Sequence, residues 1–221
     1  MSEQQGGRRQ GGGNRNRRRS APRRRPQSDT QEQERSGNLT TANSLPPVEP
    51  PTGFAKLGVP ERIDIGLAAA GFAEPFAIQL EAIPVAMKGR DVCGRAKTGS
   101  GKTLAFGIPM LTRMIGSAGP NTPLGLVLVP TRELAVQVAE VLQPVAASTG
   151  ITVAPVYGGA SREHQVRDLQ RGVELVVATP LRLIDLIKSG EVDLGDVQIV
   201  CLDEADRMAD DGFPPQVEWI L

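Results

Sequence analysis

Ala96 to Thr103 reads AKTGSGKT, and this stretch decides the fold. Gly99 and Gly101 permit a tight backbone turn that brings several amide donors onto one anion, and a helix opening at Lys102 adds the positive end of its dipole. Lys102 supplies a point charge for terminal phosphates, and Thr103 a hydroxyl of the kind that ligates magnesium in such loops. Ala96, Lys97, Thr98 and Ser100 complete the cradle, Ala96 standing where the generic GxxxxGK[ST] pattern has its first glycine.

About a hundred residues on, Val200 to Asp206 reads VCLDEAD. The apolar run Val197–Leu202 reads as a buried strand that delivers Asp203 at its carboxyl end, where α/β sheets gather ligands. Asp203 is a second oxygen ligand for the cation that Thr103 approaches. Glu204 is placed to orient or polarise an attacking water, because phosphoryl transfer depends mostly on positioning and electrostatics. An acidic run after a strand can also be a solvated helix start; its pairing with a phosphate cradle points instead to nucleotide hydrolysis.

The 221 residues suit one domain with an appendage. Formal net charge is zero, yet residues 1–50 hold ten arginines against five carboxylates, leaving fifteen basic and twenty acidic residues in the remainder. Residues 1–35 combine Gly, Arg, Gln and Asn with almost no large apolar side chain, a composition that predicts disorder. Its clustered arginines suit polyanions such as nucleic acid, the alternative being a solubilising tail. Residues 36–53, with Pro46, Pro47, Pro50 and Pro51, read as a stiff linker.

Cys93 and Cys201 sit in apolar runs and read as two buried thiols rather than a disulfide framework. No apolar stretch approaches the roughly 20 residues a bilayer span needs, and no secretory signal follows the basic N-terminus. The expectation is a soluble, cytoplasmic protein. His164 lies in a charged helix with no companion ligands, and Phe213 and Trp219 read as packing residues.

From Phe54 onward helical and short apolar segments alternate, which predicts an α/β fold with a parallel sheet flanked by helices. Helices are expected over 60–70, 76–87, 102–115, 132–148, 162–171 and 181–188. Strands are expected over 91–94, 124–129, 151–157, 174–178 and 197–202. Four strand ends then carry polar or glycine-rich segments: the phosphate loop, PTRELA (Pro130–Ala135), ATPLR (Ala178–Arg182) and DEAD (Asp203–Asp206).

With these motifs in order, residues 54–221 resemble the first RecA-like domain of the DEAD-box ATP-dependent RNA helicases. The family's adenine signature matches Phe54 and, seventeen positions later, GFAEPFAIQ at Gly71–Gln79. The resemblance implies that Phe54 stacks on adenine and Gln79 bonds its edge, with ATP and Mg2+ as cofactors. It implies RNA-backbone contacts from Thr131 and Arg132, from the glycine pair Gly158 and Gly159, and from Thr179 and Arg182. Asp206 would couple the nucleotide site to a domain interface. RNA is the implied partner, with RNA-processing or ribosome-assembly proteins beside it. The wording departs from the family where Phe76 and Ala77 replace Thr and Pro, and where Leu181 replaces Gly.

The family's next strand, bearing SAT, lies between the phosphate-loop strand and the DEAD strand, and a second RecA-like domain supplies arginine fingers. The resemblance therefore implies that the 221-residue chain alone hydrolyses ATP poorly and does not unwind. Three other readings stay open: an RNA-binding or annealing protein acting through its arginine-rich tail, a P-loop kinase, and a DNA-directed helicase. A kinase has no use for a water-directing Glu204, and the Gln79 signature tilts the last toward RNA.

Overall fold

A computed structural model describes residues 52–114 and 116–221. The Arg/Gly-rich tail, 1–35, and most of the linker, 36–53, lie outside the described residues. A 3-10 turn at Gly53–Leu57 precedes α1 (Glu61–Ala69), α2 (Ala77–Ala86), α3 (Lys102–Arg113), β1 (Gly125–Leu128), α4 (Arg132–Ala147) and β2 (Val153–Val156). Then follow α5 (Arg162–Gln170), β3 (Leu175–Ala178), α6 (Pro180–Lys188), β4 (Ile199–Leu202), α7 (Ala205–Asp210) and α8 (Pro214–Ile220). The four strands form one sheet in the order β2-β3-β1-β4, every pairing parallel.

Side-chain alternation along the strands builds a core on each face. Val127, Val129, Leu175 and Val177 join one cluster with Leu104 and Ile108 of α3 and Val138 and Leu142 of α4. Leu126, Leu128, Val176 and Ala178 join the other with Leu169, Leu183 and Leu186 of α5 and α6. At roughly 1.5–3 kcal/mol for each fully buried aliphatic side chain, these two clusters fix the strand ends on which polar residues stand. Backbone bonds carry the ladder past the strands: Asp203 N–H donates to Leu128 O at 3.0 Å, Val129 N–H to Ala178 O at 2.9 Å, and Thr179 N–H to Val156 O at 2.9 Å.

The expected strand over 91–94 is not formed. Residues 90–97 have no ladder partner among the described residues, and 91–95 are exposed. A strand exists only through pairing, and β4 is the sheet edge on this side, with Val200 and Leu202 partly exposed. For the same reason Cys93 is exposed, against the expectation of a buried thiol. Cys201, on β4, is partly buried, and burial together with the Asp203 charge pushes its thiol up to about 12. His164 is exposed as expected; Trp219 is half exposed, with Lys188 5.4 Å from its ring centroid, while Phe213 packs on the second cluster.

Ahead of α1 the chain is pinned by Asp64, which is buried in α1 and accepts from both the backbone N–H and the hydroxyl of Thr52. Thr52 Oγ in turn accepts from Phe54 N–H at 3.2 Å, so Asp64 locates Phe54 at second hand. Replacing Asp64 with Ala leaves two buried donors unsatisfied, at about 1–3 kcal/mol each. The Asp64→Ala chain is expected to lose at least about 1 kcal/mol in urea unfolding, and an unchanged midpoint would show that this anchor is dispensable.

Candidate nucleotide and nucleic-acid site

The loop 96–101 passes from the unpaired segment into α3, and its last residue, Gly101, sits at φ 85° as the N-cap. Two demands fix glycine there. The left-handed backbone disfavours a side chain, and a Cβ would lie 2.3 Å from Gln79 Nε2 and 2.6 Å from Phe76 Cδ2. Gly101 thus lets α2 and the loop touch. Gln79, buried in the first turn of α2, makes the link: its Oε1 accepts from Phe76 N–H at 2.7 Å and its Nε2 donates to Gly101 O at 2.8 Å.

A cavity of about 1030 Å³ opens here, lined by Thr98, Gly99, Gly101, Lys102 and Thr103 from the loop and α3 and by Asp203 and Glu204 beyond β4. Phe54, Phe76 and Gln79 line it from the other side. Lys102 Nζ donates to Ala96 O at 3.0 Å and Lys97 O at 3.2 Å, curling over the loop. Burial lifts the Asp203 carboxyl above its usual range, while the Lys102 charge and the Glu204 N–H, 3.0 Å from Asp203 Oδ1, pull it back and Glu204 adds to the rise. Lys102 and Asp203, 101 positions apart, therefore act on each other electrically.

Three features of this pocket fit a triphosphate with a divalent cation. Gly101 gives α3 no side-chain cap, so its first turn keeps donors for an anion. Ser100 Oγ is buried with no partner. Asp203 is a buried carboxylate with its charge only partly compensated, which a hard cation would complete together with Thr103. The described residues hold no cluster of three or more metal-binding side chains, so such a cation would need phosphate oxygens as well.

Glu204 takes the left-handed conformation, φ 53°, as N-cap of α7, and its carboxylate pairs with Arg207 Nη1 at 3.3 Å. Asp206 falls in the first turn of α7.

Along the same sheet edge lie the residues expected to meet nucleic acid. Thr131 caps α4, its hydroxyl accepting from Leu134 N–H at 3.3 Å. Arg132 is exposed, and its bond to Glu133, at 2.7 Å, holds that carboxyl below the usual range. Arg132 Nη1 also lies 3.6 Å from where a Cβ on Gly159 would be, so two distant motifs meet. Gly158 has open space beside it, and Gly159 is left-handed at φ 85°. Arg182 Nη1 donates to Gln165 Oε1 at 3.0 Å and reaches Ala160 O at 3.5 Å; Gln165 Nε2 donates to Tyr157 O at 3.0 Å. Thr179 caps α6 without a side-chain bond, leaving its hydroxyl uncommitted to the cap.

Comparison with known proteins agrees with this arrangement. The sequence profile described as DEAD/DEAH box helicase matches residues 76–221. The chain belongs to the DEAD/DEAH box helicase family. It is 46% identical over 176 residues to DEAD-box ATP-dependent RNA helicase 20 of Oryza sativa subsp. japonica, covering 78% of this chain and 36% of that protein. It is 43% identical over 197 residues to ATP-dependent RNA helicase DBP2 of Gibberella zeae, covering 88% and 35%. Among solved structures it is similar to the RNA helicase Prp28 of Chaetomium thermophilum bound to ADP, with TM-score 0.71, 40% identity, and 77% and 43% covered. The chain thus spans about a third of the length of these two relatives.

The phosphate loop, the DEAD residues and the motifs expected to meet a nucleic-acid backbone lie along one sheet edge of this DEAD-box chain. Phe54 is fully buried although it lines the cavity, and both polar ends of Gln79 already have partners. Gln165, which fastens Arg182 to the glycine loop, and Arg207, which pairs with Glu204, carry no motif and were missed. The spacing of Glu204 to Arg207 on a helix start was the available signal for the latter.

Because burial raises the folded-state pKa of Asp203, the folded chain binds that proton more tightly than the unfolded one. Stability contributed by protonation is lost as pH rises from the ordinary carboxylate value through the raised one. Asp203→Asn is expected to raise the thermal midpoint in metal-free buffer at neutral pH and to abolish any further rise on adding Mg2+ with ADP. A lower midpoint would show that the carboxylate is not under strain.

Proposed function

We propose that this chain is the first of two RecA-like domains of an ATP-dependent RNA helicase, binding ATP with Mg2+ and gripping an RNA backbone at the same sheet edge. The observation that carries this reading is the meeting of Lys102, Thr103, Asp203 and Glu204 at one cavity, with Arg132, Gly159 and Arg182 on neighbouring strand ends. Bound Mg2+ would neutralise phosphate charge. Thr103 and Asp203 would hold it, Lys102 would exchange its two loop carbonyls for phosphate oxygens, and Glu204 would orient a water. Arg132 and Arg182 would meet phosphates and sugars, which position a strand without reading its sequence. The names of the relatives, RNA helicases all, support RNA over DNA as the polymer. A cytoplasmic setting and RNA-processing or ribosome-assembly partners belong to the same proposal as extensions of an RNA-directed ATPase.

Calorimetric titration with ATP and Mg2+ tests the nucleotide half. Lys102→Ala is expected to abolish measurable binding while the fold persists, and wild-type-like binding by that variant would remove the phosphate role from this loop. Fluorescence anisotropy of a short single-stranded RNA tests the other half. Arg132→Ala and Arg182→Ala are each expected to weaken every RNA sequence alike and to lower the slope of log affinity against log salt by about 0.7. A sequence-dependent loss would place these arginines on bases instead of the backbone.

A further inference from the structure

We propose that Gln165 is a positioning residue for the RNA grip: it fixes the guanidinium of Arg182 without cancelling its charge. The inference rests on the nucleic-acid reading above. Gln165 is 8% exposed, whereas glutamines mostly face solvent, and both ends of its amide are used. Its Oε1 accepts from Arg182 Nη1 and its Nε2 donates to Tyr157 O, each at 3.0 Å, so one side chain joins the first turn of α6 to the residue ahead of Gly158 and Gly159. α5 holds the amide there: Ser161 caps that helix, and Leu169, one turn beyond Gln165, is buried in the second core cluster.

The neutrality of this partner sets Arg182 apart. Arg132, Arg162, Arg171 and Arg207 each pair with a carboxylate, those of Glu133, Glu191, Asp168 and Glu204. Arg182 forms no salt bridge among the described residues; Gln165 Oε1 and Ala160 O are what its Nη1 meets. It also stands in the first turn of α6, at the positive end of the helix dipole, where a cation is disfavoured. Neither the helix nor an ion pair accounts for a cation at this place. A carboxylate at position 165 would hold the guanidinium equally well but would cancel the charge that attracts a phosphate chain. A guanidinium with no tether would keep its charge but lose rotamer freedom on meeting the strand. The amide oxygen supplies orientation and leaves the charge whole, and the Nε and Nη2 donors of Arg182 have no partner among the described residues and stay available to a phosphate.

Fluorescence anisotropy of a short single-stranded RNA across a salt series, with the 221-residue chain, separates orientation from charge. Gln165→Met keeps the side-chain volume and removes both bonds. It is expected to weaken RNA binding by about two- to tenfold and to leave the slope of log affinity against log salt as in wild type. Gln165→Glu keeps an acceptor for Nη1 but adds a negative charge, and is expected to lower that slope by about 0.7. In an Arg182→Ala background, Gln165→Met is expected to cost no further affinity. In the RNA-free chain, the heteronuclear NOE of the Arg182 Nε–H is expected to fall in Gln165→Met, which reads fast side-chain motion directly. Unchanged RNA affinity in Gln165→Met, or an Arg182 NOE indifferent to it, would overturn the proposal. So would an equal loss with and without Arg182, which would make the amide a brace of the glycine loop alone. Absence of RNA binding by the wild-type chain would instead overturn the nucleic-acid reading itself. Should Gln165→Met fail to fold, Gln165→Glu decides: a wild-type salt slope would refute the charge-sparing role.

Discussion

A buried carboxylate and an ammonium brought together from 101 positions apart in the sequence are the constraint on which the site depends. Asp203 is held at the end of β4 by a backbone bond to Leu128, and Lys102 opens α3 from a loop that no strand supports among the described residues. Burying Asp203 costs free energy, and the opposing charge of Lys102 offsets part of it. Neither group is satisfied by the other alone. Lys102 leans on two loop carbonyls, and Asp203 takes an N–H from its neighbour. Two half-compensated charges facing one cavity are poised to exchange these partners for a ligand carrying both signs, which a magnesium nucleotide does.

The two-faced core explains why such a site can hold its shape without a support under every part. Residues alternating along β1 and β3 lock those strands between α3 and α4 on one side and α5 and α6 on the other. The ends of β1, β3 and β4 are therefore fixed relative to one another by buried aliphatic packing, and the polar residues just beyond them inherit that order. Beyond β2 and β3, Gln165 carries the order further, tying Arg182 to the backbone of the glycine loop beside Arg132. A basic surface with its side chains already oriented loses less entropy on meeting a phosphate chain.

Periodicity made most of this legible, because helix and strand patterns are local and the motifs sit where those patterns change. The bounds expected for α1 to α6 and β1 to β4 lie within a few residues of those observed. What was not legible depended on partners remote in sequence. Asp91–Gly94 has strand composition but no neighbour to pair with among the described residues, and pairing is not a property of four residues. The resemblance implies that Phe54 stacks on adenine, and its burial is not written in the neighbouring residues: Asp64, ten positions on, draws Thr52 inward and the ring follows. The role of Gln165 as a tie between a helix and a loop follows only from the packing of α5 under the glycine turn.

Backbone conformation supplies what pattern could not at the DEAD residues themselves. In an extended strand, successive side chains point to opposite faces, so Asp203 and Glu204 would be parted by the sheet. Both nevertheless line the same cavity, and the left-handed turn at Glu204 is what breaks the alternation. That conformation costs a non-glycine residue about 1–2 kcal/mol, and the partly exposed pair with Arg207 returns under about 1 kcal/mol. The strain is thus not repaid locally. It is sustained by the core that holds β4 and by Met208 buried one turn into α7, which together leave the chain only Asp203 and Glu204 in which to pass from strand to helix. Glycine would take that turn without strain; glutamate takes it at a cost and sets a second carboxylate on the cavity beside Asp203.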